Sequence, residues 1–583
     1  MIQKVYKIIP VNYRKKVLSL FLLIAVGMFF EVFGIGMLLP VLTAILQPDM
    51  LFKNALLSNI FVFFEVGNNE ELIRFSLLFL LIIYTLKGLF LLGTNFVQNH
   101  INAGLVALVS SKLYSKFIHY PYLYHTTNNS SEYIKTIQVE VNNFNVFLMA
   151  GIYFITETSI ILSVLIALLL IEPKGTLVLM LLFLLCSYIF YRISKKLSIR
   201  WGKIREANDK AITQKLLETF GGIKELIITN SFTFFENEYN ELNATKANIS
   251  AKNLTLNQVP RYYLEVIIVI AFVLFIGSYL YAGNSVDSLL VILGVFVGAT
   301  LRLLPSINRV LSSLQQIKYY QSSIDIIFDE LQKNEKTNSM DLTVSEMPTI
   351  HLEKAIQVQN LSFSYPNSKR ETLQDLSFTI PQGATIGIVG TSGSGKSTLI
   401  NLIAGLIYPY TGKILIDDIL LDDSSCLSWR NQIGYVSQHT YLSDATIMEN
   451  IAYGIEKKKI SVERVNRVID EAQIKDLVDE LENGINHKVG ERGVQFSGGQ
   501  QQRIGIARAL YRDPEILILD EATSALDIHT EKKVMQSIDN LKGRKTVIIV
   551  THRLSTIENC DSIFQLVDGR IVNQNANTIS YEH

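Results

Sequence analysis

The sequence predicts a multidomain chain: an all-α transmembrane domain of six spans followed by an α/β domain built around a phosphate-binding loop. Three observations carry this. Apolar runs long enough to cross a bilayer, roughly 20 residues each, recur through the first 310 residues. After residue 331 short β-rich runs ("IQVQNLSFSY", "ATIGIVG", "ILILD", "TVIIVTH") alternate with helical patterns, as in α/β domains. A glycine-rich loop, "GIVGTSGSGKST", directly follows one of those runs. Composition agrees: 583 residues exceed what one core usually organises. Hydrophobic residues make up 49% and charged residues only 18%, with a mean hydropathy of +0.27, too apolar for a purely soluble protein. The formal net charge of zero gives no reason to expect nucleic acid as a partner. Cys186, Cys426 and Cys560 show no C-x-x-C spacing, so neither a disulfide framework nor a zinc site is implied.

The N-terminus is basic ("KIIPVNYRKK") and then apolar from Val17 to Leu46, interrupted only by Glu31. That run is longer than a signal-peptide core and reads as the first span. The spans are placed near residues 17–46, 73–97, 147–171, 175–194, 259–281 and 286–308. The long connections, 98–146 and 195–258, carry Lys112, Lys116, Lys195, Lys196, Arg200, Lys203 and Arg205, against chiefly Lys53 and Lys174 on the other side. The positive-inside rule then puts both termini and the long connections in the cytoplasm. These connections are helix-compatible, so the spanning helices are expected to project beyond the bilayer. In the external connection 47–72, Leu56, Ile60, Phe63 and Phe64 make an apolar stripe, either for a helix on the membrane surface or for packing on its neighbours. Residues 1–331 are the expected transmembrane domain, 332–350 a polar linker, 351–572 the α/β domain and 573–583 a frayed tail.

The chemistry is concentrated in the second domain. Residues Gly390 to Ser397 fit G-x-x-x-x-G-K-S between a strand and a helix. In such a loop the backbone of Gly390, Thr391, Ser392, Gly393, Ser394 and Gly395 approaches phosphate oxygens, Lys396 reaches the terminal phosphates, and Ser397 ligates Mg²⁺, with Thr398 opening the helix. "ILILD" delivers Asp520 for the magnesium shell, and Glu521 follows as the group to polarise the attacking water.

"FSGGQQQRIGIARAL" from Phe496, shortly before that acidic strand, resembles the signature segment of ABC ATPases, and the six spans ahead of it resemble an exporter-type ABC half-transporter. The resemblance covers the whole nucleotide-binding half. It implies ATP and Mg²⁺ as cofactors, Tyr365 of "SFSYP" as the adenine-stacking ring, and Gln438 of "YVSQ" as a catalytic and magnesium-ligating residue beside Ser397 and Asp520. It also implies Ser497, Gly498, Gly499 and Gln500 as γ-phosphate donors across a dimer, with Asp527 of "SALD" and His552 of "THRLS" completing the site. Phe496 stands where the family usually has leucine, at a position that does not touch phosphate. One P-loop and one signature per chain imply that two chains are needed, with a homodimer expected and a heterodimer open. "YPYLYHTTNNSSEYIK" and "ETFGGIKEL" would be the cytoplasmic turns that press on the ATPase.

ATP chemistry does not name the cargo, so the charges inside the spans are weighed next. Lys87 lies about a dozen apolar residues into its span, and Arg302 and Arg309 are seven residues apart on one helical face, about 10 Å. A cation in mid-membrane costs ~2.5–3.5 kcal/mol on insertion scales and must face a cavity or a partner. Glu31 and Glu157 are the candidate internal partners, and Arg309 lies near enough to the interface to snorkel. Arginine suits a pyrophosphate through bidentate hydrogen bonds. "LRLLPSINRV", "NQVPRYYLEV" and "KYYQSSIDIIF" are similar to segments of bacterial lipid-linked oligosaccharide flippases. That resemblance implies a polyprenyl-pyrophosphate-linked oligosaccharide moved from the cytoplasmic to the periplasmic leaflet of the inner membrane, for protein glycosylation or a surface polysaccharide; Lys87, Arg302 and Arg309 are the expected pyrophosphate ligands. An exporter of another lipid, a polysaccharide precursor, a drug or a peptide stays open, as does a regulatory ATPase that moves nothing.

Overall fold

The computed structural model describes residues 1–46, 68–171, 173–281, 286–333, 350–366, 368, 370–408, 410–553 and 556–573. The external stripe 56–64, nearly all of the linker and the last ten residues lie outside these. The chain divides into two units, Met1–Tyr120 with Asn128–Lys336, and Pro121–Thr127 with Thr337–His583.

The first unit is helical: α1 Ile2–Ile8, α2 Val11–Gly36, α3 Leu38–Leu46, α4 Asn69–Ile118, then α5 Tyr122–Thr127 of the second unit, α6 Ser130–Lys135, α7 Val141–Ile171, α8 Pro173–Gly221, α9 Ile223–Thr229, α10 Phe232–Tyr281, α11 Val286–Tyr319 and α12 Gln321–Gln332. Each predicted span falls on one or two of these helices. Those over Val11–Gly34, Asn69–Ile118 and Ser130–Leu170 are long and apolar enough to cross a membrane. The first predicted span is broken at Met37 because Pro40 has no N–H to give the Gly36 carbonyl four residues earlier. The 50-residue α4 would measure ~75 Å at the α-helical rise, more than twice a hydrocarbon core. It starts under an Asn68 cap that accepts the Glu71 N–H at 2.9 Å.

Pro173 opens α8, where its missing N–H goes unneeded. Pro305 instead sits inside α11, between Arg302 and Arg309, and removes the bond to the Leu301 carbonyl. Buried Ile160, Val164 and Leu168 of α7, Leu264 of α10 and Ala299, Leu303, Ile307 and Leu311 of α11 form one apolar seam.

The second unit holds two sheets. Strands β1 Ala355–Phe363, β2 Leu373–Pro381, β4 Thr411–Ile416 and β5 Ile419–Leu420 form an antiparallel sheet in the order β2-β1-β4-β5. The other sheet runs β10-β9-β3-β8-β7-β6, from β3 Thr385–Gly390, β6 Ile433–Val436, β7 Ile516–Asp520, β8 Thr546–Val550, β9 Ser562–Val567 and β10 Arg570–Asn573. It is parallel except for β10. Every residue of β3, β7 and β8 is buried, which is why they read as continuous apolar runs rather than alternating ones. Helices α13 Lys396–Ile403, α14 Gly498–Tyr511 and α15 Ile528–Asp539 supply the remaining framework of the site. Leu123 of α5 packs against the core around Trp429, whose indole N–H reaches the Ile403 carbonyl at 2.8 Å. "PYLYHTT" therefore groups with the nucleotide-binding unit, while "ETFGGIKEL", whose last four residues open α9, belongs to the first.

Candidate functional site

The phosphate loop joins the C-terminal end of β3 to α13. Gly393 and Gly395 have φ of +80° and +104°, open to glycine and strained for other residues. A Cβ on Gly395 would also stand 2.7 Å from Leu373 Cδ2 and 3.0 Å from the Thr372 oxygen. Lys396 is the first residue of α13, and its ammonium folds back onto the carbonyls of Gly390 at 2.8 Å and Thr391 at 2.9 Å. Burial lowers its pKa, opposed by the negative charges of Glu521 and Asp520. Ser394 Oγ is buried with no hydrogen-bond partner among the described residues. An orphaned hydroxyl, two left-handed glycines, a lysine and a helix N-terminus fit a polyphosphate. Thr398 Oγ1 lies 3.1 Å from the Tyr365 hydroxyl, and the Tyr365 ring stands edge-on to Phe363 with its centroid 5.1 Å away. Ser397 follows Lys396 in the first turn of α13.

Parallel β7 carries Asp520 and Glu521 to the same end of the sheet. Asp520 accepts the Tyr435 hydroxyl at 3.0 Å. Burial raises its pKa, the Tyr435 bond lowers it and the Glu521 charge raises it again. Glu521 is a non-glycine residue at φ +49°, its N–H tied to the Val550 carbonyl at 2.9 Å. Its side chain collects the other predicted catalytic groups: Gln438 Nε2 donates to Oε2 at 2.6 Å, and His552 Nε2 lies 3.1 Å from Oε1. With its amide nitrogen directed to Glu521, Gln438 would offer its oxygen to Mg²⁺. Beside Ser397 and Asp520 this is an all-oxygen set with one carboxylate, which suits Mg²⁺ completed by phosphate oxygens.

Ser497 caps α14 in a reciprocal box: its Oγ accepts the Gln500 N–H at 3.3 Å, and Gln500 Oε1 accepts the Ser497 N–H at 2.8 Å. Gly498 and Gly499 form the first turn, and a Cβ on Gly499 would stand 3.0 Å from the Ala525 oxygen. Asp527 caps α15 through the N–H groups of His529 and Thr530, at 3.1 and 3.0 Å. Among the described residues no hydrogen bond links Ser497–Gln500 to the Lys396 loop. Phe496 is buried edge-on to His487, so the departure from leucine is absorbed by packing. Two residues that the sequence did not single out organise this region. Tyr435 holds Asp520, and buried Gln502 reaches the carbonyls of Gln438 and Glu521, both at 3.4 Å, and accepts the Ala525 N–H at 3.2 Å.

The first unit contains a cavity of about 690 Å³ between α4, α7 and α11, and both Arg302 and Arg309 line it. Each arginine is also paired. Arg302 contacts both oxygens of Glu31, Nη2 to Oε1 at 2.5 Å and Nε to Oε2 at 3.2 Å. Lys87 reaches the same Oε2 at 2.8 Å, so a carboxylate only 1% exposed ties α2, α4 and α11 together. Arg309 Nη1 meets Glu157 Oε1 at 2.7 Å, with 58% of the arginine side chain still exposed. Of the predicted cargo residues, two therefore face one cavity and the third, Lys87, turns to Glu31.

Residues 18–300 match the ABC transporter transmembrane region family and residues 373–524 the ABC transporter family. The ATP-dependent lipid A-core flippase of Pseudoalteromonas translucida is 30% identical over 537 residues, covering 88% of this chain and 87% of that protein. Its counterpart in Coxiella burnetii is 30% identical over 527 residues, covering 87% and 85%. The structure of a bacterial Atm1-family ABC exporter with ATP bound shares the fold, with a TM-score of 0.77 over 96% of this chain and 95% of that one at 23% identity. With both units matched and one relative aligned along nearly the whole polypeptide, this membrane protein belongs to the ABC transporter family, with an exporter-type transmembrane region joined to an ABC-type ATPase.

Proposed function

We propose that two copies of this chain form an ATP-driven flippase of the bacterial inner membrane, moving a phosphate-bearing glycolipid from the cytoplasmic to the periplasmic leaflet. The observation that carries the reading is the pair of arginines on one polar cavity within the membrane helices. A neutral apolar drug would gain nothing from them, whereas a phosphate or pyrophosphate accepts bidentate hydrogen bonds from each. The proposed cargo is a polyprenyl-pyrophosphate-linked oligosaccharide. A second reading, a lipid A-core glycolipid, is supported by the names of the relatives. The cytoplasmic placement of the termini and the ATPase rests on the positive-inside pattern.

In the ATPase, Mg²⁺ held by Ser397, Gln438 and Asp520 would neutralise charge on the phosphates. Lys396 and the loop amides bind those phosphates. Glu521, oriented through both oxygens, polarises the attacking water, and His552 contacts the γ-phosphate. Ser497, Gly498, Gly499, Gln500 and Asp527 serve the partner's site, and Tyr365 stacks on adenine. The test is ATPase activity of the full chain in nanodiscs, titrated with undecaprenyl pyrophosphate and with neutral diacylglycerol. The phosphorylated lipid should stimulate turnover and Arg302→Ala should blunt that stimulation; equal responses to both lipids would remove the anion from the reading.

A further inference from the structure

Helix α4 carries four carboxamides, Asn95, Gln98, Asn99 and Asn102, in a run that is otherwise largely apolar, "LLGTNFVQNHIN". Asn95, Gln98 and Asn99 follow i, i+3, i+4 spacing, so they share one face, and all three line the cavity. Of the three only Gln98 is buried, and burying an amide without partners costs about 1–3 kcal/mol, so it calls for something to bond.

The structure shows what remains uncommitted. Gln98 is 3% exposed and its Nε2 has no hydrogen-bond partner among the described residues. Across the cavity on α7, Thr156 Oγ1 and Glu157 Oε2 are likewise buried and unpartnered, although Glu157 Oε1 is held by Arg309. This wall differs in chemistry from the arginines. A phosphate only accepts hydrogen bonds and an ammonium only donates them, so neither uses a cluster holding an uncommitted donor, an uncommitted acceptor and a hydroxyl that is both. A sugar hydroxyl, which donates and accepts, uses all three. Tyr153, 40% exposed, also lines the cavity, and an aromatic ring suits the apolar side of a pyranose.

We propose that Asn95, Gln98 and Asn99, facing Thr156 and Glu157, form a sugar-recognition wall that selects the glycan part of the cargo while Arg302 and Arg309 take its phosphate. This rests on the proposed function and adds the component that distinguishes a glycosylated lipid from its bare carrier. A site built to bond hydroxyls rejects an analogue lacking them because its own polar groups are then left unpaired.

The test is native mass spectrometry of the full-length protein with two pairs of probes: undecaprenyl pyrophosphate with and without a short oligosaccharide, and lipid A with and without core sugars. The wild type should prefer the sugar-bearing member of at least one pair, and which pair it is identifies the source of the glycan. Gln98→Leu, matched in size, should reduce that preference about tenfold, the factor that ~1.4 kcal/mol of lost bonding makes, with affinity for the bare lipid kept. Asn95→Leu, at an exposed position, should act in the same direction. No preference in the wild type, or equal loss for both members of a pair in both variants, would overturn the sugar wall while leaving anion binding in place. Failure to bind any of the four phosphorylated probes would overturn the proposed function itself.

Discussion

Glu521 and Glu31 are both carboxylates gripped by two partners, yet they have opposite uses. Glu521 is held by an amide and an imidazole, keeps 22% of its side chain exposed and sits on a left-handed backbone at a strand end, so it is oriented and still reachable. Glu31 is held by an ammonium and a guanidinium at 1% exposure, so its charge is spent on binding three helices together. The nucleotide-binding unit aims its charges outward from a backbone scaffold; the membrane unit settles its charges internally, and the proposed cargo would meet what remains. Two carboxylates, Glu31 and Glu157, face three cationic side chains, Lys87, Arg302 and Arg309, in these pairs.

The largest effect is expected at the reachable carboxylate. Glu521→Gln keeps the shape but loses the base, and phosphate release should fall by about 10²–10⁴-fold, the range of general acid–base assistance; near-normal turnover would remove Glu521 from the chemistry. At the buried carboxylate the expected loss is stability. Glu31→Ala strands two cations and should cost about 3–5 kcal/mol, read as a lower melting temperature of the full chain in detergent, with Lys87→Met added to Glu31→Ala recovering part of it. A melting temperature untouched by Glu31→Ala would make the triad a surface ornament and dissolve the contrast.

Asp520 sharpens the comparison through pH. Because burial raises its folded pKa, the cost of its charge is present at high pH, fades as pH falls through that raised pKa and is gone below the ordinary carboxylate value. Asp520→Asn should therefore melt higher than the wild type at pH 8, with the gain vanishing toward pH 4 and hydrolysis lost throughout. A gain that grew on acidification would reverse the sign of the argument. The smallest effect belongs to Glu157. Its pair with Arg309 is more than half exposed on the arginine side and worth about 0–1 kcal/mol, so Glu157→Gln should tighten binding of bare undecaprenyl pyrophosphate by no more than about fivefold, measured by the same lipid titration of ATPase activity. Weaker binding would mean that Glu157 positions Arg309 rather than competing with the anion.

Much of the nucleotide site was legible in the sequence because its chemistry is local. The loop Gly390–Thr398 needs only backbone freedom and helix polarity, and the consecutive pair Asp520 and Glu521 at a strand end points to metal and water roles from spacing alone. Tyr435 and Gln502 lie inside segments whose neighbours were read, "YVSQ" and "FSGGQQQR", but spacing gives no sign that one reaches Asp520 or that the other bridges two loops. In the membrane unit the sequence located the charges and offered Glu31 and Glu157 as partners. Which base met which acid is tertiary: Arg302 and Glu31 are 271 residues apart, and only the crossing of α2, α4 and α11 decides that Lys87 shares the same carboxylate. The carboxamides of α4 carried too little charge to stand out before a cavity gathered them.

The most direct test is leaflet transfer. The purified chain, reconstituted in liposomes with undecaprenyl-pyrophosphate-linked oligosaccharide, is supplied with Mg-ATP and the glycan exposed on each leaflet is followed over time. ATP-dependent transfer that Arg302→Ala abolishes while basal hydrolysis continues is the predicted result. Hydrolysis without transfer of this lipid, or of a lipid A-core glycolipid in a parallel preparation, would contradict the account.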